Sequence, residues 1–376
     1  MRIAIINRVF SRAAGGAESY AVSIAEQLAA RHEVHIFAQE SNQPLAGVTY
    51  HRVFCLSRKP RWVNQLLFAL ASWWATRRGY DVVHSHENTW HGQVQTVHVR
   101  PTRYNLFQGY RGARLALRWL KVALSPRLLT YVRLEASRFA PAPGRAVVAT
   151  SAGLAQECVA AYPGSCGFLS IITPGTRLPQ GGPTQAEARE RLGLPVQAPL
   201  LLFVANDYKR KGLDSLLQAL VRLPADVQLA VAGNPAPIPA YRQLATQLGV
   251  AQRVHFLGSQ DDLGPAYRAA DCLAHPTLED TYAMVVLEAL AHGLPVVVSG
   301  PDHCGIARDL QDGRQALLLA DPRDAIALAG LLRRVLAEPT LRAQLTQQGL
   351  AFALSHSWEQ AALQYEALYQ KAASAT

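Results

Sequence analysis

Short, wholly apolar runs alternate with helix-like segments along most of this chain, and that alternation leaves few folds open. RIAII at 2–6 is followed by the helical pattern SYAVSIAEQLAARH, then EVHIFAQ, an apolar helix after Pro60, and the runs DVVHSH, QVQTVHV and AVVATS. The pattern restarts with LLFVAN at 201–206. GLDSLLQALVRL, VQLAVAGN, YRQLATQLGV, RVHFLGS, DDLGPAYRAA, CLAHPT, TYAMVVLEALAHG and LPVVVSG then alternate helix and strand. Strands apolar on both faces and separated by helices predict parallel sheets covered on both sides. Two such series predict an α/β chain of two doubly wound, Rossmann-like domains. The break falls in the Pro/Gly/Gln-rich stretch 173–188. The predicted division is a first domain over 1–172, a linker over 173–198 and a second domain over 199–357. Residues 358–376 form a last helix that packs back on the first domain. Ligands of open α/β sheets lie at the carboxyl ends of the strands. A cleft between two facing domains is therefore the expected site.

Length and composition agree. The 376 residues suffice for two ordinary domains, and 49% hydrophobic with 17% charged residues argues against disorder. The net charge of +10 points to an anionic partner. Five cysteines, an odd number without a C-x-x-C, read as free thiols in a reducing compartment. MRIAIINRVF carries Arg2, Asn7 and Arg8 too early for a secretory leader. The most apolar window, 66–75, is shorter than the roughly 20 residues of a spanning helix.

Four features carry chemistry. In LEDTYAMVVLEALAHGLPVVVSG, Asp280 stands at the expected carboxyl edge and a helix is expected to begin at 281–283. The free N–H groups of such a start suit a phosphate, so Glu288, nearly two turns further in, is expected to accept from the hydroxyls of a ribose. The bland alternative makes Asp280 a cap and Glu288 an exposed acid on an amphipathic face. In NDYKRKGLD, the cations Lys209, Arg210 and Lys211 follow a strand and Gly212 opens a helix, an arrangement fit for a diphosphate or merely a solvated loop. In RAAGGAES, Gly15 and Gly16 permit close backbone approach to a ligand or simply make a turn. This is neither a dinucleotide fingerprint nor a P-loop. Histidines 84, 86, 91 and 98 cluster near strand ends. H-x-H lacks a third ligand at zinc spacing, so a hydrogen-bonding histidine, His98, is the expected role. There is no D-x-D to hold a divalent ion, and no metal or other cofactor is expected.

Together these residues resemble the retaining GT-B glycosyltransferases of family 4, most strongly from about 199 to 325. D-TYAMVVL-E followed by ALAHGLPVVVS resembles the family's Glu-x7-Glu motif and its G-x-P-V strand, with Asp280 in place of the first glutamate. FVANDYKRKGLDSLLQAL resembles the stretch whose Arg-Lys pair holds the donor diphosphate, which places Arg210 and Lys211 there. GGAES resembles the glycine loop, QTVHV the active-site histidine strand with His98, and GSQDDLGPAYRAADCLAHPT the nucleobase segment, with 254–258, including Leu257, near the base. Within the family, YKRKG and HPTLEDTYAMVVLEAL look most like lipopolysaccharide-core α-glucosyltransferases. The resemblance implies hexose transfer from a UDP-sugar to a glycolipid hydroxyl with retention. Asp280, Thr281, Tyr282, Ala283, Met284 and Glu288 would line the donor, and His98, Arg210, Lys211 and Asp280 would be catalytic. No carboxylate nucleophile is evident in the first domain, which favours front-side attack.

Residues 100–145 hold ten Arg or Lys and one acid, Glu135. Arg111, Arg114, Arg118 and Lys121 recur at helical spacing among Leu115, Leu117, Trp119 and Leu120, as on a membrane-surface helix or a solvated face. No RNA motif or helix-turn-helix accompanies them, so an anionic inner-membrane surface at its cytoplasmic face is expected rather than nucleic acid. A UDP-sugar epimerase, a phosphorylase or a non-catalytic UDP sensor on the same fold are the rival readings.

Overall fold

The computed structural model describes residues 1–12, 14–42, 44–56 and 59–375. In chain order the first unit contains β1 (Arg2–Ile6), β2 (Val9–Phe10), α1 (Gly16–Ala29), β3 (Glu33–Ala38), β4 (Glu40–Ser41), β5 (Val48–Arg52), α2 (Arg61–Thr76), β6 (Val82–Ser85), β7 (Val94–Val97), α3 (Thr102–Phe107), α4 (Gly112–Ala123), α5 (Pro126–Arg138), β8 (Ala146–Ala149), α6 (Ala152–Ala161) and β9 (Leu169–Ile171). The second contains α7 (Gln185–Arg191), β10 (Leu200–Ala205), α8 (Leu213–Leu220), β11 (Gln228–Gly233), α9 (Ile238–Gln247), β12 (Val254–Gly258), α10 (Gly264–Ala269), β13 (Cys272–His275), α11 (Met284–Ala291), β14 (Val296–Ser299), β15 (Leu317–Leu319), α12 (Ala325–Ala337) and α13 (Pro339–Leu354). The closing helix α14 (Trp358–Ser374) belongs with the first unit.

Each unit is a doubly wound parallel sheet, as the strand pattern predicts. The first runs β5-β3-β1-β6-β7-β8-β9 and the second β12-β11-β10-β13-β14-β15. Strand β10 shows why such runs must be central. Leu200, Leu202 and Val204 enter one core and Leu201, Phe203 and Ala205 the other, so the two-residue period serves two covered faces at once. Winding reverses between β1 and β6 in the first sheet and between β10 and β13 in the second. A doubly wound sheet leaves a crevice at the carboxyl ends of such neighbours.

Two expectations change. Most of the segment read as a linker, from Gly175 onward, belongs to the second unit. It contains α7, started by a capping box in which Thr184 and Glu187 satisfy each other's backbone N–H groups. The helix after Asp280 begins at Met284 rather than 281–283, because Ala283 is left-handed (φ 67°). The helical spacing read from Arg111 to Lys121 corresponds to α4, which is flanked in the basic segment by α3 and α5. Helix α14 lies in the first unit with Trp358, Tyr365 and Tyr369 buried. The Tyr365 hydroxyl is 3.0 Å from that of Tyr20, and the Tyr369 hydroxyl 2.7 Å from His84 Nδ1.

Candidate functional site

The loops after β10 and β13 flank the switch point of the second sheet and are stitched to each other. Gly212 has φ 83°, and a Cβ there would stand 1.9 Å from the Pro276 carbonyl oxygen, so the approach requires glycine. Leu278 N–H donates to the Arg210 carbonyl at 2.9 Å. Buried Tyr208 anchors the cationic loop edge-on to Phe203 and Tyr241. Arg210 is half exposed and held by Asp207, whose carboxylate accepts from the Arg210 N–H at 3.1 Å and stands 3.6 Å from the guanidinium. Lys211 reaches across: its ammonium donates to the Asp280 carboxylate and, at 3.1 Å, to the Glu279 carbonyl.

Asp280 is the hub. Its Oδ1 accepts from the Ala283 N–H at 2.9 Å and the Tyr282 N–H at 3.3 Å; its Oδ2 accepts from Lys211 and from His275 Nε2 at 3.2 Å. Burial works to raise its carboxyl, but the His275 hydrogen bond and the Lys211 ammonium outweigh it and hold it well below the usual carboxylate range. His275 is 1% exposed and pushed down by burial. It is therefore a neutral donor whose Nδ1 is buried without a hydrogen-bond partner. Asp280 is thus not the cap of α11, whose cap position is Ala283 and carries no side-chain cap bond; it braces the turn just before the helix and fixes Lys211. Thr281 and Tyr282 lie in the loop it braces, and Met284 opens α11.

Glu288, in the second turn of α11, is not on an exposed face. It is half buried, and its Oε2 accepts from the Tyr267 hydroxyl at 2.7 Å. Burial raises its carboxyl and the Tyr267 bond opposes the rise. Leu257 lies one residue before the end of edge strand β12 and helps line a cavity of about 470 Å³ with Arg242, Thr246, His255 and Phe256.

In the first unit, His86 and His98 follow the adjacent strands β6 and β7. Their rings stack with centroids 5.2 Å apart, and His86 Nδ1 lies 2.9 Å from His98 Nε2. The buried Nε2 of His86 has no partner, which favours the tautomer with its proton on Nδ1, donating to His98. His98 is pushed down to about 3 by burial and the buried Arg138 guanidinium, so it is neutral. His84 is occupied by Tyr369 and by Thr96 Oγ1 at 2.7 Å. Gly15 and Gly16 begin α1, with Ala13 of that loop outside the described residues. Two carboxylates at this edge escaped the sequence reading. Glu18 lies in the first turn of α1, its carboxyl raised by burial, and Glu87 accepts from the Arg8 N–H at 3.1 Å. Both stand directly after strand or glycine-loop positions, the signal that marks this edge.

The family description "Glycosyl transferases group 1" matches residues 184–351, and "Glycosyltransferase Family 4" matches 14–176. A D-inositol 3-phosphate glycosyltransferase of Xylanimonas cellulosilytica is 30% identical over 323 residues, covering 78% of this chain and 72% of that protein. The lipopolysaccharide glucosyltransferase WaaG of Escherichia coli is 35% identical over 158 residues, 41% of each. A crystal structure of WaaG superposes with a TM-score of 0.83 at 23% identity, covering 96% of this chain and 98% of that one.

Proposed function

From its membership of the GT-B glycosyltransferases, family 4 in its first half and group 1 in its second, to which this chain belongs, we propose that it moves a hexose, with glucose the first choice, from a UDP-sugar to a hydroxyl of a lipopolysaccharide-core or similar glycolipid, with retention and without a metal. The observation that carries this reading is the meeting of the Arg210–Lys211 loop with the Asp280 loop at the switch point of the second sheet. As the bond from the anomeric carbon to the diphosphate breaks, negative charge grows on the leaving oxygens. Arg210, Lys211 and the first-turn N–H groups of α11 stabilise it. Asp280 keeps Lys211 placed. Glu288 holds the ribose hydroxyls through the oxygen that Tyr267 leaves free, and Leu257 borders the base. The departing phosphate takes the acceptor hydroxyl's proton as that oxygen bonds to the same face of the sugar. Neutral His98 holds a sugar hydroxyl. The basic, outward apolar α4 brings the chain to an anionic membrane, peripherally. No helix among the described residues is long and apolar enough to cross one.

The longer match to an inositol-phosphate enzyme supports a second acceptor class, a phosphorylated polyol. Product formation on glycolipid against inositol 3-phosphate separates the two.

The test of the donor is thermal shift with UDP, GDP, ADP and CMP, then UDP-sugars, with and without EDTA. Ligand at 100 times its dissociation constant adds about 2.7 kcal/mol. A shift with UDP alone, indifferent to EDTA, is expected. No shift with any nucleotide overturns the donor site, and loss of turnover in EDTA overturns metal independence.

A further inference from the structure

Helix α2 is built with its polarity reversed. Asn64, Gln65, Ser72 and Thr76 are buried beside Phe68 and Ala69, while Leu70, Trp73 and Trp74 are 46%, 40% and 62% exposed. The inner polar groups are satisfied. Asn64 and Gln39 exchange two hydrogen bonds at 2.8 and 2.9 Å, Gln65 donates to the Asn88 carbonyl at 3.0 Å, and Ser72 donates to the Phe68 carbonyl at 2.6 Å. The interior therefore gives α2 no reason to turn two indoles outward, and water gives it a reason not to.

Leu70, Trp73, Trp74 and Arg77 form one stripe at i, i+3, i+4 and i+7. The Arg77 guanidinium lies 3.3 Å above the Trp74 ring. Phe54 and Leu56, just upstream, are 62% and 72% exposed. From residue 41 to 80 the chain has no Asp or Glu and six Arg or Lys. Exposed indoles bordered by cations, with no acid in the sequence between Glu40 and Asp81, match the boundary between headgroups and acyl chains of an anionic bilayer. A second copy of this chain fits poorly, because it would set like charges against each other. Helix α5 packs against both α2 and α4. The latter has exposed Leu117, Trp119 and Leu120 of its own.

We infer that α2 is a second lipid contact, with Trp73 and Trp74 seated at the anionic surface and Arg77 and Arg78 on lipid phosphates. The inference rests on the reading that the acceptor lies at such a surface, and it adds orientation: one helix leaves a protein free to pivot, two fix its rotation.

The test is co-sedimentation of the full chain with vesicles of phosphatidylglycerol in phosphatidylcholine, and of phosphatidylcholine alone, for the parent, Trp73→Ser/Trp74→Ser, Leu117→Ser/Leu120→Ser and all four changes. Each pair is expected to lower binding to the anionic vesicles about tenfold, and the combination to abolish it. Amide protection of β1 and β6, which belong to the same unit as α2, should equal the parent's in Trp73→Ser/Trp74→Ser, showing an intact fold there. Parental binding by that variant, while the α4 variant loses it, overturns the second contact alone. A parent that ignores anionic vesicles overturns both contacts, and leaves the UDP result to judge the transferase reading. A dimer abolished by Trp73→Ser/Trp74→Ser with vesicle binding unchanged makes the stripe a self-interface and also overturns the inference.

Discussion

Four donors converge on the Asp280 carboxylate, and two of them carry or can carry charge. Removing it alone strands the Lys211 ammonium in a site where both side chains are only 15% exposed. Asp280→Ala is therefore expected to cost about 3–5 kcal/mol, read as a fall in urea midpoint. Lys211→Ala/Asp280→Ala should recover part of that loss, since no charge is left unpaired. A double variant no more stable than Asp280→Ala would show that the bonds to the 282 and 283 N–H groups, not the ion pair, are the larger part. Glu288 behaves differently, because the Tyr267 hydroxyl that donates to it is neutral. A charged acceptor of ribose hydroxyls is worth about 1.5–3 kcal/mol, so Glu288→Ala should weaken UDP roughly 10- to 100-fold. It should also erase the preference for UDP over 2′-deoxy-UDP. Tyr267→Phe should weaken UDP less, by loosening the carboxylate; calorimetry showing no change in either variant removes the ribose role. The two acids were legible in the sequence because the strand before them fixes the edge on which they stand. Their partners were not. His275 reads as a strand residue and Tyr267 as a helix residue, and only the fold brings either to a carboxylate.

At the scale of elements, the start of α11 is where reading and structure part. Thr281, Tyr282 and Ala283 run into a strongly helical pattern, so propensity extends the helix back to them. Asp280 instead folds onto the N–H groups of 282 and 283 and turns the chain left-handed at Ala283, the one non-glycine residue with positive φ among those described. A left-handed alanine costs about 1–2 kcal/mol, which offsets the usual loss on changing a buried alanine to glycine. Ala283→Gly should then leave stability within about 0.5 kcal/mol of the parent. Ala289→Gly, in the helix interior, should cost about 1–2 kcal/mol. Equal losses in thermal unfolding would mean Ala283 is not left-handed in solution. Helix α7 was missed for a different reason. Its Thr-x-x-Glu box was in plain view, but the Pro and Gly around it read as a linker. The closing helix was legible because Trp358, Ala361, Tyr365, Tyr369 and Ala372 keep one face apolar over its length.

At the scale of the molecule, the parallel strands follow from their apolar runs, whereas the buried imidazoles they deliver carry a consequence for pH. His84 and His98 are pushed down to about 3 and His91 to about 4, each chiefly by burial, and His86 falls in the same direction. All four lie in the first unit. The unfolded chain takes protons on these rings below about pH 6.5, while the folded unit refuses them until their own lowered pKa values. Stability is thus complete above the unfolded value and lost as pH falls below it, by about 1.4 kcal/mol per pH unit for each histidine. Every proton taken up also adds to a chain already at +10, and self-repulsion favours expansion. The second unit has its own histidines pushed down by burial, His255, His275 and His292, but the large shifts are in the first. Between pH 6.5 and 4.5 the first unit should therefore lose amide protection before the second, in which Asp280 stays ionised on its own partners. Hydrogen exchange read segment by segment at pH 7.5, 5.5 and 4.5 checks this. Simultaneous loss from β7 and β10 would mean that the histidines are solvated in solution, and that the neutral His98 assigned to the sugar is not neutral when the chain works.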